Sequence, residues 1–201
     1  MKFGFILECG PDGGDMKVLK HLTFLIAPYA EFAYEPLSVK TALLKECGKA
    51  AKRLIKEGCE KVFIVWDLFP AWREDKGKPC RHEDKESIKA SLAAEELSED
   101  DVIFLCLEEE LEAWLLADGR VLSKYFTKSH RKVNIKNETR PDKIKDPKGK
   151  LIEYFKAYKG GQKYECNAHA EQIIKGIENF QKLKKSEIFR RFYYKLRNEE
   201  L

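Results

Sequence analysis

Short apolar runs at residues 3–7, 62–66 and 102–107 are separated by stretches of helical periodicity, and this alternation constrains the fold more than any other feature. Runs of that length, rich in β-branched and aromatic residues, suit strands buried on both faces of a sheet. Residues 30–34 add a weaker strand, with Ala30, Phe32 and Tyr34 alternating against Glu31. The spacing predicts a helix over 15–27, capped by Asp15 and stopped by Pro28. A long helix follows Ser38 as its cap, with Leu43, Cys47, Ala50 and Leu54 on one stripe and Gly58 closing it. Helices over 84–97 and 108–118 complete a β-α-β-α-β-α-β-α order. Such alternation implies right-handed crossovers and a mainly parallel four-stranded sheet flanked by helices, an α/β fold. The expected division is an α/β domain at 1–118, a linker or long loop at 119–148 and a basic helical extension packed on the same domain at 149–201. Within the extension, helices are predicted near 150–158, 169–180 and 186–196.

Two of the strands end in a carboxylate. The run at 3–7 stops at Glu8 and the run at 62–66 stops at Asp67, so both acids fall at the carboxyl edge, where open α/β sheets bind ligands. Hard cations such as Mg²⁺ take oxygen ligands from one or two carboxylates and complete their shell with water and substrate phosphate. Glu8 with Asp67 meets that requirement, and Asp12, in the glycine-rich turn after Glu8, is a third candidate ligand. The turn is neither a dinucleotide fingerprint nor a Walker loop. After Asp67, residues 68–83 carry Pro70, Trp72, Pro79 and His82, long enough for a lid or a substrate wall.

Composition narrows the classes. With 43% hydrophobic and 36% charged residues in 201, the chain is globular and large enough for one α/β domain with a subdomain. No window approaches the ~20 apolar residues of a membrane span, and the run before Glu8 is too short for a signal peptide, so a cytoplasmic location without a membrane is expected. Six cysteines without a C-x-x-C pair suit reduced thiols better than a disulfide frame or a zinc ribbon. The net charge of +4 hides a division: residues 1–119 hold 16 Lys and Arg against 24 Asp and Glu, while residues 120–201 hold 22 against 10. An acidic, cation-binding part is thus joined to a part suited to polyanions. In the last helix Lys184, Lys185, Arg190 and Arg191 stand beside Phe189, Phe192, Tyr193 and Tyr194, so one face can pack while the other meets phosphates.

The most distinctive string is Glu110-Leu111-Glu112-Ala113-Trp114-Leu115-Leu116-Ala117-Asp118, preceded by Glu108 and Glu109. Such acids suit a helix N-terminus, and they equally suit a carboxylate facing the sheet edge. The order of Glu8 with its Gly-Pro-Asp turn, Asp67 after an apolar strand, and this E-x-E-A-W-x-L-A-D string resembles the Toprim superfamily. More narrowly, it resembles an uncharacterised bacterial Toprim-like family. Further agreement lies in residues 141–148, around Tyr164 and at 186–190, so the resemblance spans nearly the whole chain.

That resemblance implies a compact sheet whose glutamate and aspartates hold Mg²⁺ for phosphodiester chemistry. The glutamate maps to Glu8 and the first aspartate of the D-x-D pair to Asp67. Phe69 occupies the place of the second aspartate. Glu110 or Glu112 would then supply the lost carboxylate, positioning water or a second ion. The expected function is a Mg²⁺- or Mn²⁺-dependent nuclease on DNA or RNA, in phage defence or a toxin system, with Glu8, Glu110 and Glu112 catalytic. The alternative is a catalytically inactive partner subunit that binds nucleic acid or an ATPase. The partners expected are nucleic acid, a companion ATPase and a second copy of the chain in a homodimer.

Overall fold

The computed structural model describes residues 1–68, 80–107 and 111–199. Strands β1 (Lys2–Leu7), β2 (Glu31–Pro36), β3 (Lys61–Asp67) and β4 (Val102–Leu107) form one sheet in the order β2-β1-β3-β4, every pairing parallel. Helices α1 (Gly14–Ile26), α2 (Lys40–Lys56) and α3 (Arg81–Ala93) alternate with the strands, giving the α/β class that the apolar runs predict. The chain makes two compact units. The first, Met1–Asp12 with Thr23–Glu108, carries the sheet. The second, Gly13–Leu22 with Glu109–Leu201, carries α4 (Glu112–Ala117), α5 (Gly119–Phe126), α6 (Pro147–Tyr158), α7 (Cys166–Ile174) and α8 (Glu187–Arg197). Among the described residues, no helix is long and apolar enough to cross a membrane.

Alternation along the strands sorts the first unit into two apolar layers. Ile6, Val62, Ile64 and Trp66 join Leu43, Cys47, Ala50 and Leu54 of α2 and Ile88 and Leu92 of α3 in one buried cluster. On the opposite parity, Phe5 stacks on Phe63 at 4.9 Å and on Tyr34 at 5.4 Å, and Phe3 stacks on Phe32 at 5.8 Å. Phe3, Phe5 and Phe63 are fully buried, each contributing about 1.5–3 kcal/mol. In the second unit Trp114, the aromatic of the distinctive string, meets Phe189 edge-on at 5.1 Å and Phe192 at 5.7 Å. It is a core residue that fixes the apolar face of α8.

Several boundaries depart from expectation. Asp15 lies in the first turn of α1 instead of capping it. Ser38 does not cap α2: it takes φ 67°, and Val39 is the N-cap with no side-chain bond. Helix α3 begins at Arg81, ahead of the predicted 84. Residues 119–148, expected to be irregular, hold α5 and a 3₁₀ turn at Pro141–Lys143. The reason is local, because the Asp118 carboxylate accepts the Arg120 N–H at 3.0 Å and starts a helix whose Val121, Leu122 and Phe126 are buried. The sheet-bearing unit ends at Glu108, where 118 was the expected limit.

α2 and α3 approach closely at Gly48, whose N–H donates to Ser91 Oγ at 3.0 Å. A Cβ there would lie 2.0 Å from the Ser91 carbonyl oxygen. Alanine exceeds glycine in helix propensity by about 1 kcal/mol, so an unhindered site would gain from the change. Here overpacking wins: Gly48→Ala is expected to destabilise the protein by about 1–3 kcal/mol in urea titrations. A raised midpoint would show that the two helices can separate at little cost.

Candidate functional site

β1 and β3 are hydrogen-bonded neighbours running the same way, so their terminal acids meet at one edge. The Asp67 N–H donates to Glu8 Oε2 at 3.2 Å, and both side chains are half-buried. Backbone bonds carry the sheet past its last regular pairs: Leu37 N–H to Leu7 O, Ser38 N–H to Cys9 O, and Leu68 N–H to Leu107 O. The edge that presents Glu8 and Asp67 is therefore stiff, as a site that must hold a small cation requires.

Beneath it lies a charged pair that the sequence pattern alone did not single out. Lys40 and Asp84 are 6% and 1% exposed, with the ammonium 3.0 Å from Asp84 Oδ2. The same Lys40 Nζ donates to the main-chain oxygens of Asp67 at 2.9 Å and Leu68 at 2.8 Å. The Trp66 indole N–H donates to Asp84 Oδ2 at 3.2 Å. Asp84 Oδ1 is buried without a hydrogen-bond partner. Lys40 thus pins the backbone of Asp67, while Asp84 balances the lysine charge next to the two edge carboxylates. A signal for the pair was present: Lys40 sits one turn before Leu44 on the buried stripe of α2, and Asp84 one turn before Ile88 on that of α3. A charge on an apolar stripe demands a buried partner.

Two oxygen-donor side chains on adjacent strands fit a hard cation that keeps several waters, and they do not fit a structural zinc, which takes four protein ligands. Among the described residues no three His, Cys, Asp or Glu side chains form a group that could hold a metal ion. Asp12, expected as a third ligand, is exposed and does not complete such a group with Glu8 and Asp67. Phe69, Glu110 and most of the expected lid lie outside the described residues, while His82 is exposed in the first turn of α3. Buried Cys106 is no nucleophile here, since desolvation pushes its thiol up to about 12.

A model of a domain family of unknown function matches residues 16–197. This chain belongs to the DUF4276 family. No curated protein matches it. The DUF4276 match takes in Asp67, Lys40, Asp84 and Glu112 and begins beyond Glu8 and Asp12.

The second unit of this DUF4276 chain holds another polar cluster. Glu112 is 4% exposed and accepts from the Tyr164 hydroxyl at 3.1 Å. Desolvation, and next the charge of Asp15, raise its pKa, with Lys148 and Tyr164 acting in the opposite direction. Burial likewise raises Tyr164 and Cys166, and the Cys166 thiol donates to Asp15 Oδ1 at 3.5 Å. The start of α7 lies so close that a Cβ on Gly14 would be 2.4 Å from Cys166 Sγ, and Gly14 N–H donates to Asn167 Oδ1 at 2.7 Å. In this setting Glu112 favours its neutral form. Of the basic residues expected to meet nucleic acid, Lys185 and Arg190 are exposed and Arg191 is half-buried. Lys184 Nζ stands 3.5 Å over the Tyr193 ring.

Two outcomes follow. Lys40→Met leaves the Asp84 carboxylate buried with its main charge partner gone, and is expected to cost about 3–5 kcal/mol in chemical denaturation. Lys40→Met with Asp84→Leu should recover much of that loss; a double variant as unstable as the single one would refute pairing as the cause. The raised Glu112 pKa means that folding takes up a proton, so stability present in acid is lost as pH rises through the folded value. Each tenfold shift in that equilibrium is worth about 1.4 kcal/mol. Urea midpoints compared between about pH 5 and pH 8 should fall more in the wild type than in Glu112→Gln, and parallel curves would show that Glu112 titrates normally.

Proposed function

We propose that this protein is a Mg²⁺- or Mn²⁺-dependent phosphodiesterase that cleaves DNA or RNA, acting in the cytoplasm in phage defence or a toxin system. The observation that carries the reading is the pairing of Glu8 and Asp67 on adjacent strands of a parallel sheet, at the edge where such sheets bind ligands. The resemblance of these acids and of the E-x-E-A-W-x-L-A-D string to Toprim domains supplies the reaction class. Glu8 and Asp67 would hold the cation. When bound, such an ion polarises a phosphate and lowers the pKa of coordinated water.

The chain's own residues do the positioning. Lys40 fixes the Asp67 main chain through its carbonyl and that of Leu68. Lysines and arginines of the basic part, Lys184, Lys185, Arg190 and Arg191 among them, would contact phosphates and give affinity without reading sequence. Glu110 remains the candidate for the carboxylate that Phe69 replaces, since Glu112 is enclosed with Tyr164 and its charged form is disfavoured. A homodimer and a companion ATPase belong to the same proposal. A second reading, a subunit that binds nucleic acid or an ATPase without cutting, is favoured by the donor set, because only two acids gather at the edge among the described residues.

Calorimetric titration with Mn²⁺ separates these readings when paired with cleavage assays on plasmid and RNA. We expect binding that Glu8→Gln and Asp67→Asn each weaken about tenfold or more, with cleavage lost in EDTA and in Glu8→Gln. Binding unchanged in both variants would sink the metal site. Metal binding without cleavage of any substrate, with or without a partner ATPase, would leave the non-cutting subunit.

A further inference from the structure

The positive charge of the second half is concentrated in one segment. Residues 120–163 hold 14 Lys and Arg against 4 Asp and Glu, a net of +10, whereas residues 164–201 hold 8 against 6, a net of only +2. Three of those four acids are engaged within the chain. Glu138 pairs with Lys150, Asp142 accepts the Glu187 N–H, and Asp146 accepts the Gly149 N–H at the start of α6. The excess therefore lies with the exposed cations of α5, α6 and the segment that joins them.

That segment is ordered so as to present them. Lys128 and Arg131 exchange both backbone hydrogen bonds across a tight turn, at 3.0 and 3.1 Å. The chain beyond it alternates, with Val133 and Ile135 buried and Lys132, Asn134 and Lys136 exposed. It is tied to α5 where Ile135 N–H donates to Ser123 Oγ at 2.8 Å and Val133 N–H to Thr127 Oγ1 at 3.1 Å. Half-buried tyrosines lie among the cations. Tyr154 and Tyr158 are neighbours one turn apart on α6, ring centroids 6.1 Å apart. Arg131 reaches across to the Tyr158 ring at 5.1 Å while donating to the Ala157 carbonyl, and Lys159 stands 4.2 Å over Tyr125.

We propose that the face formed by Tyr154 and Tyr158 of α6 and the Lys128–Arg131 turn binds single-stranded nucleic acid, with phosphates on Lys128, Lys132 and Lys159 and bases against Tyr154 and Tyr158. Charge complementarity selects a polyanion. Aromatic rings interleaved with cations select one that carries flat, unstacked bases, since stacking platforms in a basic groove are how single strands are held. A duplex hides those base faces, and a lipid surface or an acidic peptide offers none. The inference deepens the nucleic-acid reading above by naming the substrate form and its grip, and moves the main contact from the last helix to residues 120–163.

The test is fluorescence anisotropy with labelled oligo-dT and oligo-U across a salt series in EDTA, where binding is read whether or not the protein cuts. Replacing Lys128, Lys132 and Lys159 together by Gln should lower the slope of log affinity against log salt by about 0.7 for each phosphate no longer neutralised. Tyr154→Leu and Tyr158→Leu should each weaken the single strand about fivefold or more while leaving heparin binding unchanged. The same Gln changes at Lys184, Lys185, Arg190 and Arg191 should cost less. Circular dichroism melts check that each variant is folded. The assignment is overturned if the last-helix variant loses binding while the three-lysine variant keeps it, if duplex binds as tightly as single strand with the tyrosine changes silent, or if only heparin or anionic vesicles bind.

Discussion

The Lys40–Asp84 pair is the interaction on which the sheet-bearing unit depends. Two opposite charges almost fully out of water are costly unless each hydrogen-bonding position is filled. Lys40 meets one carboxylate and two carbonyl oxygens, the carbonyls at the end of β3 and the carboxylate in α3. One ammonium thereby joins the first turn of α2, the end of β3 and the first turn of α3. The price appears at Asp84, where one oxygen is left buried without a hydrogen-bond partner. An apolar pair of similar volume would pack as well there, but it could not hold two carbonyls. The charges therefore secure the direction in which the strand leaves the sheet, immediately beside Asp67.

The two polar clusters follow opposite electrostatic logic. At the sheet edge Glu8 and Asp67 are half-buried, so water can solvate their charged forms and a cation can reach them. In the second unit Glu112 is enclosed by Tyr164 and feels the negative Asp15, and enclosure favours the neutral acid. The first setting leaves a carboxyl charged and open to solvent, whereas the second does not.

Much of this was legible in the residues. The strands were, because apolar runs bounded by polar residues leave little choice of structure, and the α/β class followed from their alternation with helices. Ser38 misled because its residue type favours a cap while its backbone turns left-handed and passes the role to Val39. α5 is hard to see in the sequence because eight residues give barely two turns of periodicity, and its start depends on Asp118, which the residue pattern places in the preceding helix. At the sheet edge, Glu8 and Asp67 were legible as strand-ending acids. Lys40 and Asp84 do not stand out, since each alone reads as a surface charge; only their places on two apolar stripes reveal that they must meet. Trp114 illustrates the converse, a motif residue whose observed work is packing against Phe189 and Phe192.

Helix α1 has a consequence for how the chain can be divided. Its residues through Leu22 belong to the second unit, whereas Thr23 onward belongs to the first. Neither unit is a continuous piece of polypeptide. A protein cut after Glu108 would strand Asp15 and Gly14 with the wrong fragment, leaving the second unit without the partners of Cys166 and Asn167. The same interleaving orders events during synthesis: the sheet has all its strands once residue 107 has emerged, but the first turns of α1 must wait for α7, some 150 residues later, before they find their native contacts. Modular exchange of either unit between proteins of this family would have to carry that short helical segment with it.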